Sequence, residues 1–109
     1  MEAALRAISD PTRRQILQLV RATELPAGAI ASRFTITRPA VSQHIKVLRD
    51  AGLLEERRQG VRRLYRAAPS GFEDLRRFLE QFWDDRLAQL KTAAEAEEAM
   101  NARSTERRD

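Results

Sequence analysis

The spacing of apolar positions predicts a mainly α-helical chain that contains one small β-hairpin. Apolar residues recur at steps of three and four, the period of an amphipathic helix, in four successive segments. The segments are residues 2–8, 11–23, 26–34 and 37–51. Residues 53–67 instead read as two extended runs joined by a turn at Gln59-Gly60. A long apolar stripe from Phe72 onward predicts a last helix that ends near Ala99.

Start and stop signals mark the ends of these segments. Asp10-Pro11 and Thr37 are N-cap signals, and Pro39 is tolerated near a helix start because the amide it lacks would have no partner there. Gly52 can adopt the positive φ that ends a helix. The segment Ala68-Pro69-Ser70-Gly71 predicts a break before the last helix.

The third and fourth helices are separated only by Phe34-Thr35-Ile36, which is the short turn of a helix-turn-helix. In that motif the second helix enters the major groove of DNA and the preceding helix braces it. The hairpin that follows would then be a wing. The sequence therefore predicts a winged helix-turn-helix.

The fourth helix has one apolar face, formed by Val41, Ile45 and Leu48, and one polar face with DNA-reading chemistry. Gln43 can pair with adenine through two hydrogen bonds, whereas Arg38 can either read guanine or bind phosphate, and both roles stay open. The alternative for this face is an ordinary solvated surface. Together with the wing, the candidate DNA-binding residues are Thr37, Arg38, Ser42, Gln43, His44, Lys46, Arg58, Arg62 and Arg63.

Positive charge is concentrated where DNA would bind. Residues 1–66 carry 13 Lys and Arg against 6 Asp and Glu, whereas residues 67–109 carry 7 against 10. Residues 57–66 alone hold five arginines, which repel one another and which a phosphate partner would relieve. The alternative is a solvated hairpin. Arg62 and Arg63, just past the turn, are the strongest candidates for DNA contact.

Composition narrows the function further. The 109 residues suggest one domain, with residues 1–99 forming the DNA-binding and dimerisation domain and residues 100–109 a frayed polar tail. The sequence has no run of 18 apolar residues and no signal-peptide pattern, so we expect a soluble, cytoplasmic protein without membrane contact. No nucleophile with a base, metal cluster or phosphate-binding glycine loop appears, so we expect no enzymatic activity.

Metal and cofactor binding are also not expected. The chain has no cysteine and one histidine, His44, which adjoins the apolar face of the fourth helix. A half-buried or phosphate-contacting side chain is therefore the better interpretation of His44 than a metal ligand. Asp84 and Asp85 on the last helix read as a solvated face rather than a catalytic carboxylate pair.

The last helix carries more apolar surface than one small domain can cover. Exposed aromatic and leucine surface of this extent marks a partner interface, and two-fold symmetry would bury it in both copies at once. We therefore expect a homodimer. The candidate interface residues, two of them on the first helix, are Leu5, Ile8, Leu75, Leu79, Phe82, Trp83, Leu87 and Leu90.

The order of elements and three motifs resemble the ArsR/SmtB family of bacterial winged-helix repressors. The motifs are Asp10-Pro11-Thr12-Arg13, Val41-Ser42-x-His44-Ile45-x-x-Leu48 and Ala51-Gly52-Leu53, and the resemblance covers about residues 3–95. It implies a homodimer built from the first and last helices. It also implies binding, usually as a repressor, to an imperfect inverted repeat near a promoter.

The chain departs from the metal-sensing members of that family. The arsenic sensors that it resembles carry Cys-x-Cys at the start of the helix before the turn, where this sequence has Pro26-Ala27-Gly28. Zinc sensors place Asp, His and Glu ligands on the final helix, which here has carboxylates but no histidine. Control by protein abundance, by a protein partner or by a small apolar ligand at the dimer interface all remain open.

Two alternatives to a sequence-specific repressor are consistent with the same residues. A non-specific architectural DNA-binding protein could use the same basic surface, although it would not need Ser42 and Gln43. A protein-interaction module could instead use the winged helix and the last helix to bind another protein.

Overall fold

The computed structural model describes residues 1–108, and the side chains of all of these except Asp85 and residues 103–108. They form two compact units, of which the first is Met1–Arg76 and the second begins at Arg77. The elements in chain order are α1 (Glu2–Ile8), α2 (Pro11–Leu19), β1 (Leu25–Pro26), α3 (Ala27–Ala31), α4 (Arg38–Asp50), β2 (Leu54–Gln59), β3 (Arg62–Ala67) and α5 (Pro69–Arg108). Within the described residues, no helix has both the length and the apolar character needed to cross a membrane.

Helix α2 starts as its sequence predicts, with Asp10 as the N-cap and Pro11 as the first residue. The Asp10 carboxylate accepts a hydrogen bond of 3.0 Å from the backbone N–H of Arg13. This bond lowers the pKa of Asp10 below its usual 3.8, so the carboxylate stays charged at neutral pH and interacts favourably with the helix N-terminus. The helix ends at Leu19, before the predicted Thr23.

Two arginines of α2 hold the end of α1. Arg13 donates from Nε to the carbonyl of Ala7 at 2.7 Å and from Nη2 to the carbonyl of Arg6 at 3.0 Å. Arg14 donates from Nη1 to the carbonyl of Ile8 at 2.8 Å. Because the last carbonyls of a helix have no intrahelical partner, these side chains complete the C-terminal end of α1 and fix it to α2.

The predicted hairpin is part of a three-stranded antiparallel sheet with strand order β1-β3-β2. β2 and β3 pair from Leu54 opposite Ala67 to Gln59 opposite Arg62, and Gly60 turns between them with a φ of 63°. The sequence pattern missed β1, whose two residues pair with β3 at its edge. A two-residue strand shows no periodicity, and its proline is tolerated because β1 is an edge strand.

One hydrophobic core lies between the helices and the sheet of the first unit. The apolar face of α4 enters it as predicted, and Gly52, with a φ of 79°, ends that helix. Leu75 of α5 also belongs to this core and is only 6% exposed. The largest side chains that are fully buried are Ile16, Val20, Ile30, Val41, Leu48 and Leu53.

The predicted break at residues 68–71 is wrong, because α5 begins at Pro69. Proline is compatible with the first turn of a helix, where its missing N–H is not needed. The backbone N–H of Phe72 donates to the carbonyl of Ala68 at 3.2 Å and closes that turn. Gly71 therefore lies inside the helix, where its lack of a side chain lets the helix approach the backbone of Gly52.

The second unit consists of the rest of α5, which continues to Arg108 instead of ending near Ala99. One side of it carries an exposed row of large apolar residues, called the apolar stripe below. Asp109 and the side chains of residues 103–108 lie outside the described part of the chain. The predicted fraying of residues 100–109 therefore stays a prediction. The apolar stripe consists of Phe78, Leu79, Phe82, Trp83, Leu87 and Leu90, each between 39% and 61% exposed.

Candidate nucleic-acid interface

Helix α4 presents its polar face to solvent. Thr37 caps the helix, and its Oγ1 accepts a hydrogen bond of 3.3 Å from the backbone N–H of Ala40. Val41, Ile45 and Leu48 are buried, whereas Ser42, Gln43 and Lys46 between them are turned outward. The exposed candidates on this helix and its cap are Thr37, Arg38, Ser42, Gln43 and Lys46.

His44 is half-buried, as one of its two predicted interpretations requires. Its Nδ1 lies 3.4 Å from Nη1 of Arg13, the arginine that also binds the end of α1. A cation therefore stands next to the imidazole. His44 thereby connects α4 to the junction of α1 and α2. Across the described residues, no group of three or more His, Cys, Asp and Glu side chains is placed to hold a metal ion.

An open cleft of about 390 Å³ separates the start of α4 from the end of the hairpin. The guanidinium of Arg38 lies above Gly28, with Nη1 3.4 Å from the place of a Cβ at that glycine. Arg62 and Arg63 line the opposite wall of the cleft. Three guanidiniums thus line one cleft, which favours an anion such as a DNA phosphate.

The strand register sorts the arginines of the hairpin by face. Arg58 and Arg63 are directly opposite each other on β2 and β3, and Arg62 is opposite Gln59. Residues paired in this way share a face of the sheet, so two positive charges stand side by side at Arg58 and Arg63. Val61 at the end of the hairpin is fully exposed. We call this hairpin, β2 to β3, the wing.

Ion pairs divide the wing arginines into two groups. Nε of Arg57 lies 2.9 Å from Oε2 of Glu24, and Nε of Arg66 lies 2.8 Å from Oε2 of Glu55. The hydrogen bond from Arg57 lowers the pKa of Glu24, so this carboxylate is ionised at neutral pH. In contrast, within the described part of the chain Arg58 and Arg62 form no ion pair.

Glu56 connects the wing to the last turn of α4. Its carboxylate lies 3.4 Å from Nη1 of Arg49 on α4 and 3.5 Å from Nε of Arg63 on β3. The Tyr65 hydroxyl donates to Oε1 of Glu56 at 3.2 Å. Burial, followed by the charge of Glu56, raises the pKa of Tyr65, so the phenol keeps the proton that it donates. The sequence interpretation missed this cluster, which depends on the strand register.

Comparison with known proteins identifies the family. Residues 8–57 match a family described as "Helix-turn-helix domain". The HTH-type transcriptional regulator Rv2034 of Mycobacterium tuberculosis is 42% identical over 82 residues, which are 75% of this chain and 77% of that protein. The transcriptional repressor SdpR of Bacillus subtilis is 42% identical over 60 residues, which are 55% of this chain and 67% of that protein.

A solved structure extends the similarity to the fold. It is the homodimeric winged helix-turn-helix DNA-binding domain of Mb0332 from Mycobacterium bovis, described as a possible ArsR-family transcriptional regulator. This domain has a TM-score of 0.62 and 29% identity, over 79% of this chain and 80% of that one. The chain belongs to the ArsR/SmtB family. The ArsR/SmtB resemblance seen in the sequence is thereby confirmed, and the chain is a DNA-binding transcriptional regulator rather than an enzyme.

Within this ArsR/SmtB winged helix, the fold brings three of the candidates, Arg38, Arg62 and Arg63, together around one cleft. The other candidates do not line that cleft; they are Thr37, Ser42, Gln43, His44, Lys46 and Arg58. Their contacts with DNA stay predictions. Among the candidate dimer residues, Leu75 is buried in the core of its own unit, so it has little surface to offer a partner. Leu5 and Ile8 are half-buried because they pack partly against that same core.

Proposed function

We propose that this chain is a homodimeric transcriptional repressor that binds an inverted-repeat operator and blocks a promoter by occupying it. The observation that carries the proposal is the exposed polar face of α4, opposite its buried apolar face. A helix of this kind can lie in the major groove with its N-terminal residues at base edges. The wing, with Arg58 and Arg62 outside any described ion pair, can bind the neighbouring phosphates.

Repression is proposed because the relative SdpR is named a repressor. A homodimer is proposed because the Mb0332 domain is described as homodimeric and because the apolar stripe is exposed. Two recognition helices related by two-fold symmetry would contact half-sites about one helical turn apart, roughly 34–36 Å. Since the partner is chromosomal DNA, we propose a cytoplasmic location.

A binding-site selection from random double-stranded DNA tests the proposal. The full chain should enrich an inverted repeat, and Gln43→Ala should lose base preference at one position in each half-site. The cost at that position should be about 1–3 kcal/mol, because one pair of hydrogen bonds to a base edge is removed. Gln15→Ala is the matched control, since Gln15 is an exposed glutamine on α2.

The other outcomes favour other functions. Enrichment of no sequence, together with tight and strongly salt-dependent binding, would make the chain an architectural DNA-binding protein. No DNA binding at low salt would favour a protein-interaction module. An inverted repeat whose sequence is unchanged in Gln43→Ala would leave the repressor proposal standing but remove Gln43 from base recognition.

A further inference from the structure

A hollow of about 390 Å³ lies within the first unit, on the side of α2 that faces the first turn of α5. Its volume falls in the range of about 300–1,000 Å³ that small-molecule sites occupy. Most of its wall is apolar, because α2 contributes Leu17 and the start of α5 contributes Pro69 and Phe72. The residues that line it are Leu17, Gln18, Arg21, Ala67, Pro69 and Phe72.

The polar groups of the hollow are at its rim. Arg21 is exposed and forms no ion pair with any described residue, and Gln18 is exposed one turn before it. A second cleft, of about 330 Å³, continues from the hollow past Arg21. Glu24 borders that cleft, but its carboxylate is paired with Arg57. The free charge beside the apolar wall is therefore positive.

An apolar wall with one unpaired guanidinium at its edge is complementary to one class of ligand. The apolar part of such a ligand would be removed from water by the wall. Its anionic end would be a carboxylate, which matches the planar fork of a guanidinium through two parallel hydrogen bonds. A neutral apolar molecule would use the wall but would gain nothing from Arg21.

We propose that this hollow binds a small aromatic or short-chain aliphatic carboxylate, whose apolar part packs against Leu17 and Phe72 and whose carboxylate pairs with Arg21. The binding itself is independent of the proposed repressor function. Its regulatory meaning rests on that function, because the hollow adjoins two elements that hold the DNA-binding surface in place.

The link to DNA binding is short. The backbone N–H of Ala67, the last residue of the wing, donates to the carbonyl of Val20, at the end of α2, at 3.1 Å. Helix α2 also packs against the recognition helix α4. A ligand between α2 and the start of α5 therefore contacts α2, which packs against α4, and Ala67, which ends the wing. The ligand and the operator can favour different spacings of these elements. In that case the ligand weakens operator binding, and the operator weakens ligand binding by the same factor.

Titrations of the full-length chain with benzoate, 1-naphthoate and octanoate, followed by backbone amide NMR, test the site. At least one carboxylate should bind saturably and shift the amide signals of residues 17–21 and 67–72. Arg21→Gln should weaken that carboxylate about tenfold, as expected for loss of a charged hydrogen-bond partner. It should leave the affinity for the neutral 1-naphthalenemethanol unchanged. Arg33→Gln is the matched control, since Arg33 is an exposed arginine outside the hollow.

A second variant fills the site without removing charge. Gln18→Trp, at an exposed position, should abolish binding of the carboxylate and of the neutral alcohol alike. In a parallel operator titration, the saturating carboxylate should raise the Kd for DNA at least about fivefold, the lower end of ordinary coupling between sites. The ligand titration is readable without DNA, so failure of the repressor proposal would not be mistaken for failure of this one.

Three results would overturn the binding site. The first is that no carboxylate binds saturably at millimolar concentration, and the second is that the shifted signals lie only along residues 77–102, on the apolar stripe. The third is that signals of Leu17 and Phe72 change on dilution while no carboxylate binds, which would show that a second copy of the chain occupies the hollow. Binding without any change in operator Kd would keep the site and reject its regulatory role.

Discussion

Gly71 shows how closely the first turn of α5 approaches the loop behind the recognition helix. A Cβ at this position would overlap the carbonyl oxygen of Gly52 and would stand 2.8 Å from its carbonyl carbon. The obstacle is backbone, which cannot swing aside as a long side chain can. The residue before α5 also binds this loop, because the N–H of Ala68 donates to the carbonyl of Leu53 at 2.9 Å.

Gly71→Ala should therefore destabilise the protein although alanine is the better helix former. The gain in helix propensity is about 1 kcal/mol, whereas the overlap belongs with the costlier overpacking changes, so we expect a net loss of about 2 kcal/mol. Urea unfolding at one fixed protein concentration measures it. Gly28→Ala is the control, because a Cβ there would meet only the flexible end of Arg38 at 3.4 Å. Equal stability of the Gly71→Ala variant and wild type would mean that α5 does not lie this close to Gly52.

Other single residues show which roles a sequence reveals. Asp10 could be identified as an N-cap because the capping bond joins it to a residue three positions later. The roles of Arg13 and Arg14 could not, since their acceptors are carbonyls of another helix, six residues or so earlier in the chain. The position of those carbonyls follows from the packing of α1 on α2, which no local pattern encodes.

At the scale of elements, the wing allows a test of which arginines meet DNA. The double change Arg58→Ala and Arg62→Ala should weaken specific and non-specific binding and flatten the salt dependence. For each DNA phosphate that the wing no longer neutralises, the slope of log K against log salt should fall by about 0.9. DNA titrations over a range of salt concentrations measure this slope.

The matched control removes the same number of arginines from the paired group. Arg57→Ala with Arg66→Ala should change the slope much less, because those guanidiniums already neutralise Glu24 and Glu55. If both double variants flatten the slope equally, the ion pairs do not decide which arginines bind phosphate. If neither does, none of these four arginines binds phosphate.

The elements that were predicted correctly are those in which several apolar residues follow the period of a helix or strand, or which end at a strong stop signal. Four helices and the hairpin follow from apolar spacing, and Gly52 and Gly60 both have the positive φ that their positions suggested. The bounds of the third helix were wrong, since α3 spans Ala27–Ala31 instead of residues 26–34, and the turn before α4 is correspondingly longer than Phe34-Thr35-Ile36. The start of α5 was missed because Pro69 and Gly71 are common in loops, and only tertiary packing shows that here they belong to a first helical turn. Strand β1 was missed because pairing with β3, rather than its own sequence, defines it.

At the scale of the whole molecule, the uneven distribution of charge matches the two functions that we propose, DNA binding by the first unit and dimerisation by the apolar stripe. The positive excess of residues 1–66 belongs to the unit that holds α4 and the wing. The candidate DNA-binding surface could be predicted because it is local, spanning one helix and one hairpin. The assignment of Leu75 to a dimer interface illustrates the limit, since an apolar period shows that a face is covered but not by which chain.

The apolar stripe leads to the prediction for the assembly. Leu79→Glu with Phe82→Glu should give a folded monomer, because both side chains are exposed within one chain, at 44% and 60%, whereas paired copies would bring the new charges face to face. Sedimentation measures the mass, and circular dichroism shows whether the helices persist. Affinity for a full operator should fall to that for a half-site, since two recognition helices are no longer coupled by effective concentration.

The control places the same two charges on the other side of α5. Gln81→Glu with Ala88→Glu changes exposed residues that the helical period turns away from Leu79 and Phe82, so this variant should remain dimeric and bind the operator as wild type does. A wild-type chain that sediments as a folded monomer would reject the dimer outright. A monomeric Leu79→Glu, Phe82→Glu variant that still binds the full operator with wild-type affinity would show that dimerisation does not contribute to DNA binding. Loss of the dimer in both variants would locate the effect in overall negative charge on the helix, and the apolar stripe would then not be the interface.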